Sequence, residues 1–257
     1  MMARKPRIAV LKFASCDGCQ LSLLDAEDEL LAVCDQFDFV HFAEASSALQ
    51  PGPYDIAVVE GSITTTDDEQ RIRRVRAESR WLVTIGACAT AGGVQALRAW
   101  GDIDHWVRTV YPSPEYIETL ATSTSISQHV QVDFELHGCP INPKQLIEVL
   151  TSLAAGRRPN IPSHAVCLDC KRRGTVCVMV AQGQACLGPV TQTGCGALCP
   201  GYDRGCYGCF GPAAGANTAA LIAEFQRQGH ASGQLVPLLR NFHATAPVFR
   251  AAGDSLG

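Results

Sequence analysis

The distribution of cysteine constrains this chain more than any other feature of its sequence. Thirteen of the 257 residues are cysteines, and eight of them lie between Cys167 and Cys209, in a stretch rich in glycine and proline that has no long hydrophobic periodicity. Such a stretch cannot fold by burying apolar side chains alone, so we expect bound metal to organise it. The basic start, Met1 to Lys5, leads straight into the strand-like Ile8–Phe13 without a small-residue cleavage site, which indicates a cytoplasmic protein. In that reducing compartment, clustered cysteines indicate metal ligands before disulfides.

The overall composition excludes several classes of protein. Hydrophobic residues make up 47% of the chain and charged residues 18%, so a folded core is expected rather than disorder. No run of about 18 apolar residues occurs, so we expect neither a membrane-spanning helix nor a membrane partner. The formal net charge is −4 and no basic stripe is present, which argues against nucleic acid as a partner.

The N-terminal part of the chain alternates strand-like apolar runs with helix-like segments. Strands are predicted at Arg7–Phe13, Asp38–Phe42, Asp55–Glu60, Trp81–Gly86 and Val130–Leu136. Helices are predicted at Leu21–Val33, Thr66–Ser79, Thr90–Trp100 and Asn142–Ala155. Strands that alternate with helices of this kind indicate βαβ units and a parallel sheet covered on both faces. We therefore predict an α/β fold with a doubly wound, flavodoxin-like parallel sheet.

The segment Arg157–Pro162 interrupts this alternation and is the predicted domain boundary. It divides the chain into a flavodoxin-like domain, residues 1–159, and a cysteine-rich domain of irregular structure with short helices, residues 160–257. In the second domain, Asn217–Arg227 and Gln234–His243 are predicted to be short helices and the last residues a tail.

Four cysteines of the first domain follow predicted strands. Cys16 and Cys19 come after the first strand, Cys88 after the fourth and Cys139 after the fifth. Ligands of open parallel sheets gather beyond the carboxyl ends of the strands, so these four thiols are expected at one edge. Four converging thiolates are the ligand set of a 4Fe–4S cluster. Cys34 closes a helix instead, and we interpret it as a small buried hydrophobic residue.

Two other kinds of site are conceivable at this edge of the sheet. Structural zinc usually takes its ligands from paired short knuckles, which a C-x-x-C with two distant single cysteines resembles poorly. A flavin phosphate is the second possibility, because Gly61–Thr66 has a composition that can cradle phosphate. Cysteines at the same edge would crowd a flavin, so the cluster is the favoured interpretation.

The eight cysteines of the second domain divide into two groups of four at the Gly188–Pro189 turn. Their thiol chemistry favours iron–sulfur clusters or zinc over hard cations. By spacing alone, a double zinc ribbon stays possible, and disulfides are disfavoured by the compartment. The two groups are Cys167, Cys170, Cys177 and Cys186, and then Cys195, Cys199, Cys206 and Cys209.

Four motifs, in order CDGCQLS, VEGSI, GACATAGG and HGCPINP, resemble the small subunit of nickel–iron hydrogenases. The later segments VCLDCKRRG, CLGPVTQTGC and CPGYDRGCYGC are similar to the delta subunit of the cytosolic NADP-linked, or sulfhydrogenase, branch. The resemblance extends over residues 6–212, and the combined motifs are specific. Respiratory complex I contains a related subunit, but its adjacent Cys-Cys pair does not occur here.

This resemblance implies three 4Fe–4S clusters with cysteine ligands only. The proximal cluster falls to Cys16, Cys19, Cys88 and Cys139, the medial to Cys195, Cys199, Cys206 and Cys209, and the distal to Cys167, Cys170, Cys177 and Cys186. In periplasmic and membrane-bound relatives, a histidine stands where this chain has Cys167, and the medial cluster has three cysteines. His164 is then expected to be a loop residue. The allocation of Cys177, Cys186 and Cys199 is less determined than the total.

The resemblance also implies partners and a role. The Ni–Fe centre belongs to a large subunit, because this chain lacks the paired R-x-C-x-x-C and D-P-C-x-x-C elements that hold it. The chain would then transfer electrons to diaphorase and iron–sulfur subunits that carry flavin and use NADP(H) or NAD(H). Two alternatives stay open: a hydrogenase small subunit with a heterodisulfide reductase or deazaflavin-linked acceptor, and a zinc-binding interaction protein without redox function.

Two further features of the sequence carry charge next to these cysteines. Glu60 ends a predicted strand at the same edge as Cys16 and Cys19, so it is expected either to cap a turn or to serve the proton route or subunit contact. No other residue of this chain is assigned a catalytic role. The basic run Lys171 to Arg173 either docks an acidic electron-accepting subunit or forms a solvated turn.

Overall fold

The computed structural model describes residues 4–257, and its central element is a five-stranded parallel sheet. The strands are β1 (Arg7–Lys12), β2 (Asp38–Phe42), β3 (Tyr54–Glu60), β4 (Ser79–Ile85) and β5 (Phe134–Leu136). Their spatial order is β2-β1-β3-β4-β5, and every neighbouring pair is parallel. This is the flavodoxin-like order, so the predicted α/β fold class is confirmed.

Helices cover both faces of the sheet because its strands are apolar on both sides. Ile8 and Val10 point into one core cluster together with α1 and α6 side chains such as Leu23 and Leu146. The intervening residues of β1 point into the other cluster, beside Ile72 of α3. The helices of this half are α1 (Gly18–Leu24), α2 (Asp28–Gln36), α3 (Thr66–Ala77), α4 (Gly86–Ala91), α5 (Ile103–Val110) and α6 (Pro143–Ala154). Short 3₁₀ turns lie at Val94–Trp100, Pro114–Tyr116 and Ile126–Gln128.

The structure corrects two of the helix predictions in this half. The single helix predicted over 21–33 is two helices, α1 and α2, separated by a turn in which Glu27 has φ 44°. Leu23 and Val33 both enter the same core cluster, although on one continuous helix they would lie about 80° apart around the axis. The helix predicted over 90–100 is also divided, because Gly92 and Gly93 adopt positive φ between α4 and the 3₁₀ turn.

The cysteine-rich half consists of short helices around loops, with a small core of its own. Its helices are α7 (Val166–Arg173), α8 (Val178–Gln182), α9 (Thr218–Arg227), α10 (Ser232–Leu239) and α11 (Pro247–Asp254), with 3₁₀ turns at Gly188–Val190 and Pro200–Tyr202. The predicted tail is wrong, since α11 buries Phe249 to 2% exposure against residues such as Leu239 of α10. The exact division at residues 159 and 160 stays a prediction.

Side-chain hydrogen bonds join the two halves near the cysteines. The Asn142 side chain at the start of α6 donates to the Gly194 carbonyl at 2.8 Å. The Thr245 hydroxyl donates to the Ala91 carbonyl of α4 at 2.5 Å. Among residues 4–257, no helix combines the length and apolar character needed to cross a bilayer.

Candidate metal centres

The loops at the carboxyl edge of the sheet bring four cysteines together, which we call the first thiol group. Cys16 and Cys19 follow β1, Cys88 lies in α4 directly after β4, and Cys139 follows β5. Three of these thiols, those of Cys16, Cys88 and Cys139, line one cavity of about 420 Å³. Cys19 is buried behind it, and its thiol interacts electrostatically with those of Cys139 and Cys88. The expected convergence of these four residues is therefore observed.

Two glycines allow the backbone to approach these thiols closely. Gly86 has φ +84°, and a β-carbon there would lie 2.4 Å from Cys19 Sγ. Gly93 has φ +66°, and a β-carbon there would lie 2.6 Å from Cys88 Sγ. Any larger residue would meet a sulfur at both positions, so the loops are shaped around the thiols.

Burial opposes ionisation of the first thiol group. Burial, together with smaller contributions from the neighbouring thiols of Cys88 and Cys16, raises the pKa of Cys139 to about 11. Burial also raises the pKa of Cys19 and of Cys88, the latter against a hydrogen bond from Gln95. Thiolates at these positions need a cationic partner, which bound metal provides.

Glu60 caps the first turn of α1 from inside the protein. Its carboxylate is 1% exposed and accepts hydrogen bonds from the backbone N–H of Cys19 at 3.0 Å and of Gln20 at 3.3 Å. The Gln20 side chain donates a third at 2.9 Å. Burial raises the pKa of Glu60, and these three donors oppose that shift by favouring the carboxylate. The capping role considered for Glu60 is therefore present.

Gln95 supplies a polar contact to the first thiol group that the sequence does not suggest. Its amide oxygen and nitrogen each lie 3.6 Å from Cys88 Sγ, and the nitrogen also donates to the Ala14 carbonyl at 2.7 Å. Both contacts arise because the 3₁₀ turn after Gly93 folds back over the cavity. A single-sequence pattern contains no signal for such a contact.

A second thiol group lies around α7 and α8 in the cysteine-rich half. These thiols line one cavity of about 110 Å³, together with Lys171 and Gly188. Burial, together with smaller contributions from the other three thiols, raises the pKa of Cys167 to about 11. The members are Cys167, Cys170, Cys177 and Cys186, as the spacing predicts.

A third thiol group lies between the other two. Burial raises the pKa of Cys209 to about 12, with further contributions from the thiols of Cys195, Cys139 and Cys199. Cys206 is buried, which raises the pKa of its thiol, and the thiols of Cys186 and, to a smaller extent, Cys209 contribute to that rise. The members are Cys195, Cys199, Cys206 and Cys209.

The three thiol groups are neighbours in series. Cys139 of the first group lies close enough to Cys209 of the third to contribute to the raised pKa of Cys209. Cys186 of the second group accepts a hydrogen bond through its sulfur from the Cys206 backbone N–H, at 3.2 Å. The order along the molecule is therefore first, third and second group.

The remaining residues to which the sequence drew attention lie outside these groups. Cys34 is in α2 and is exposed, so the expectation that it is buried is wrong; it lies on the solvent side of its helix. His164 pairs with Asp169 at 3.1 Å, in keeping with its prediction as a loop residue. Arg173 of the basic run donates to the Gly196 and Ala197 carbonyls, whereas Arg172 lies 4.0 Å from Asp169 and is largely exposed.

The donor set fits iron–sulfur chemistry. All thirteen cysteines are free thiols, and the groups border cavities lined by soft sulfur donors. Backbone N–H groups also point at sulfur, as from Gly208 to Cys206 Sγ at 3.5 Å. Within residues 4–257, no three His, Cys, Asp or Glu side chains are arranged to hold a single metal ion.

Comparisons with known proteins agree with this chemistry. Residues 16–153 match the family described as NADH ubiquinone oxidoreductase, 20 Kd subunit. The delta subunit of sulfhydrogenase 2 from Pyrococcus furiosus is 34% identical over 84% of this chain and 90% of its own length. A subunit of the F420-non-reducing hydrogenase of Methanocaldococcus jannaschii is 28% identical over 94% of this chain and 96% of its own.

A solved structure shares the fold. It is an NAD⁺-reducing [NiFe]-hydrogenase in the H2-reduced state, and one of its chains superimposes with a TM-score of 0.57 at 30% identity. The match covers 62% of this chain and 96% of that one. The chain therefore belongs to the NADH ubiquinone oxidoreductase 20 kDa subunit family, in which it is a hydrogenase small subunit.

Proposed function

We propose that this chain conducts electrons within a nickel–iron hydrogenase and holds three 4Fe–4S clusters, one at each thiol group. The first group would hold the proximal cluster, the third group the medial cluster and the second group the distal cluster. The observation that carries the proposal is the serial arrangement of the groups: Cys139 lies near Cys209, and the Cys206 backbone N–H donates to Cys186 Sγ at 3.2 Å. When bound, such clusters supply reversible one-electron transfer.

The chain's own residues bind, orient and shield this set. The thiols supply the ligands, and the backbone N–H groups of Cys206 and Gly208 donate to sulfur. Burial of Cys19, Cys186 and Cys206 keeps water away from part of each group. Hydrogen bonds to sulfur and exclusion of water are the means by which a protein sets cluster potentials.

The partner on one side would be the large subunit with the Ni–Fe centre. Cys16 is exposed at the open cavity of the first group, so this edge supports a subunit contact there. On the other side, Cys177 of the second group is exposed and supports electron exchange with a diaphorase that carries flavin and uses NADP(H) or NAD(H). Two relatives favour this pairing: the sulfhydrogenase delta subunit and the NAD⁺-reducing hydrogenase chain.

A second acceptor is favoured by a different relative. The Methanocaldococcus jannaschii protein belongs to an F420-non-reducing hydrogenase and matches nearly the whole chain. A heterodisulfide reductase or another acceptor therefore competes with the diaphorase. The exposed face around Cys177 would serve either acceptor. The subunits that co-purify with this chain identify which of the two acceptors it uses.

The intact complex, purified without oxygen, tests the proposal. We expect a brown preparation with about twelve irons per chain, together with a large subunit that contains nickel. Single changes Cys139→Ser, Cys209→Ser and Cys167→Ser should each remove about four irons, whereas exposed Cys34→Ser should remove none. A colourless protein with stoichiometric zinc would establish the zinc-binding interaction protein instead.

A further inference from the structure

Two histidines meet between the first and third thiol groups. His137 lies two residues before Cys139, and His243 follows α10 near the end of the chain. Their ring centroids are 5.5 Å apart and the ring planes are inclined by 31°. His243 is 1% exposed. The His137 ring thus belongs to the loop that carries Cys139 of the first thiol group, and the His243 ring packs against it from the C-terminal segment.

His243 also holds the loop of a medial thiol. Its Nε2 lies 3.1 Å from the carbonyl oxygen of Cys209, and a carbonyl can only accept, so Nε2 carries the proton and donates. Burial lowers the pKa of His243 to about 3, with a smaller contribution from His137, so the ring is neutral. The pair therefore links the Cys139 loop to the Cys209 loop through one ring contact and one hydrogen bond.

Both Nδ1 atoms of the pair are buried and have no hydrogen-bond partner. They flank Gly211, where a β-carbon would lie 3.0 Å from each of them and where φ is +71°. Glu135 is the nearest acid to the pair, with Oε2 3.9 Å from His137 Nε2. Buried imidazole nitrogens without partners cost stability, so these Nδ1 atoms do not stabilise the fold, and what the pair contributes here is its ring contact and the Nε2 hydrogen bond of His243.

We propose that His137 and His243 are positioning residues for electron transfer between the proximal and medial clusters. This inference rests on the proposed function, because it presupposes clusters at both thiol groups. The ring contact sets the separation of the Cys139 and Cys209 loops and fills the space between them with apolar ring surface rather than water. The donation from His243 Nε2 fixes the Cys209 carbonyl and so the direction of the Cys209 thiol.

Two substitutions separate the ring from the hydrogen bond. His243→Phe keeps a ring beside His137 but cannot donate to Cys209, whereas His243→Gln keeps a donor at a similar distance from the backbone but loses the ring. We expect His243→Phe and His243→Gln each to slow proximal-to-medial transfer several-fold, because each removes one of the two interactions that set the separation of the Cys139 and Cys209 loops. His137→Phe removes the unpaired Nδ1 and keeps the ring, so it should leave transfer close to the native rate. Exposed His105→Phe is the matched control.

The experiment uses the purified complex and three readouts. Iron content reports cluster assembly, the magnetic splitting between reduced proximal and medial clusters reports their separation, and transient reduction reports the transfer rate. We expect full iron content, with altered splitting and slower transfer, in both His243 variants. Native splitting and rate in both would overturn the inference. Wild-type protein without iron would instead overturn the proposed function.

The variants can fail to assemble, and Gly211→Ala then provides the second test. The new methyl group would press on both rings while both imidazoles stay present. We expect the splitting and the medial midpoint potential to change in this variant. Gly215→Ala, at a similar φ of +71° with open space around it, controls for backbone strain. Equal results for Gly211→Ala and Gly215→Ala would overturn the inference as well.

Discussion

The carboxylate of Glu60 accepts a hydrogen bond from the backbone N–H of Cys19 at 3.0 Å, so the last residue of β3 holds the first turn of α1 in place. The helix begins at Gly18, directly after Asp17 at φ 66°, without a side-chain cap from its own flank. An acceptor from a neighbouring strand replaces that cap and reaches the backbone N–H groups at the start of the helix. The position of Cys19 thus depends on a residue 41 positions away.

Glu60→Gln tests this dependence. Three donors point at the Glu60 carboxylate: the backbone N–H groups of Cys19 and Gln20, and the Gln20 side chain. Glutamine at position 60 offers them one oxygen and turns its own NH₂ group toward the remaining donors. We therefore expect the free energy of unfolding to fall by about 1–3 kcal/mol. Hydrogen turnover by the complex should fall while iron content stays intact. Thermal denaturation, iron analysis and turnover are the measurements, with exposed Glu44→Gln as the control. Unchanged turnover would remove Glu60 from the proton route and the subunit contact.

Gly86→Ala should abolish assembly at the first thiol group. A β-carbon there would lie 2.4 Å from Cys19 Sγ, a separation that requires the thiol to move. Iron content is expected to fall from about twelve to about eight per chain. Gly156→Ala is the matched control, because its φ of +67° is also left-handed and nothing lies within 4 Å of the added carbon. Equal iron content in the two variants would contradict the prediction.

Gln95→Leu should lower the midpoint potential of the proximal cluster. Gln95 Nε2 and Oε1 are equally near Cys88 Sγ, but a cluster-bound thiolate can only accept, so it would be the amide N–H that stabilises the more negative, reduced form, and leucine cannot donate. A hydrogen bond of ordinary net strength corresponds to about 20–60 mV for one electron. Redox titration followed by electron paramagnetic resonance measures the shift. Exposed Gln36→Leu should leave the potential unchanged, and a native potential in Gln95→Leu would rule out the contact.

Asp133 should stabilise the folded protein by accepting a hydrogen bond from the backbone of β4. Its Oδ2 accepts from the Leu82 backbone N–H at 2.7 Å and pairs with Arg76 at 2.5 Å, where both side chains are mostly buried. Asp133→Ala is expected to cost about 1–3 kcal/mol because it leaves the N–H without an acceptor. Asp133→Asn keeps an acceptor and should cost less. Denaturation midpoints compare these with exposed Asp35→Asn, and equal costs for alanine and asparagine would show that the backbone bond contributes little.

Arg172→Glu should slow electron transfer to the acceptor subunit. It should also make the transfer rate less sensitive to salt concentration. Arg172 is 63% exposed beside the second thiol group, whereas Arg173 is engaged by the Gly196 and Ala197 carbonyls and is unsuitable for the test. Attraction between opposite charges is screened within about 10 Å at 0.1 M salt, so native transfer should slow as salt rises. Arg158→Glu provides an exposed control. Identical salt profiles for Arg172→Glu and the native complex would show that Arg172 is a solvated side chain at the end of α7 and not part of a docking surface.

The sequence by itself determined the parallel sheet, because buried parallel strands are continuous apolar runs that any local window detects. It also determined the position of each strand to within a few residues, apart from β5, which is limited to Phe134–Leu136. The spacing of the cysteines indicated the short-spaced pairs Cys167 with Cys170 and Cys206 with Cys209, since residues three positions apart are neighbours in any compact loop, but it left the allocation of Cys177, Cys186 and Cys199 open.

Tertiary structure alone decided how these parts meet. The break at Glu27 and the helix α11 follow from packing of Leu23, Val33 and Phe249, which no local propensity encodes. Cys139 and Cys209 lie near each other because loops from the two halves of the chain come together there. The ring contact of His137 with His243 joins residues 106 positions apart. A local sequence pattern reflects the conformational preference of one segment. Contacts between distant segments depend on how the whole chain packs, which no local pattern contains.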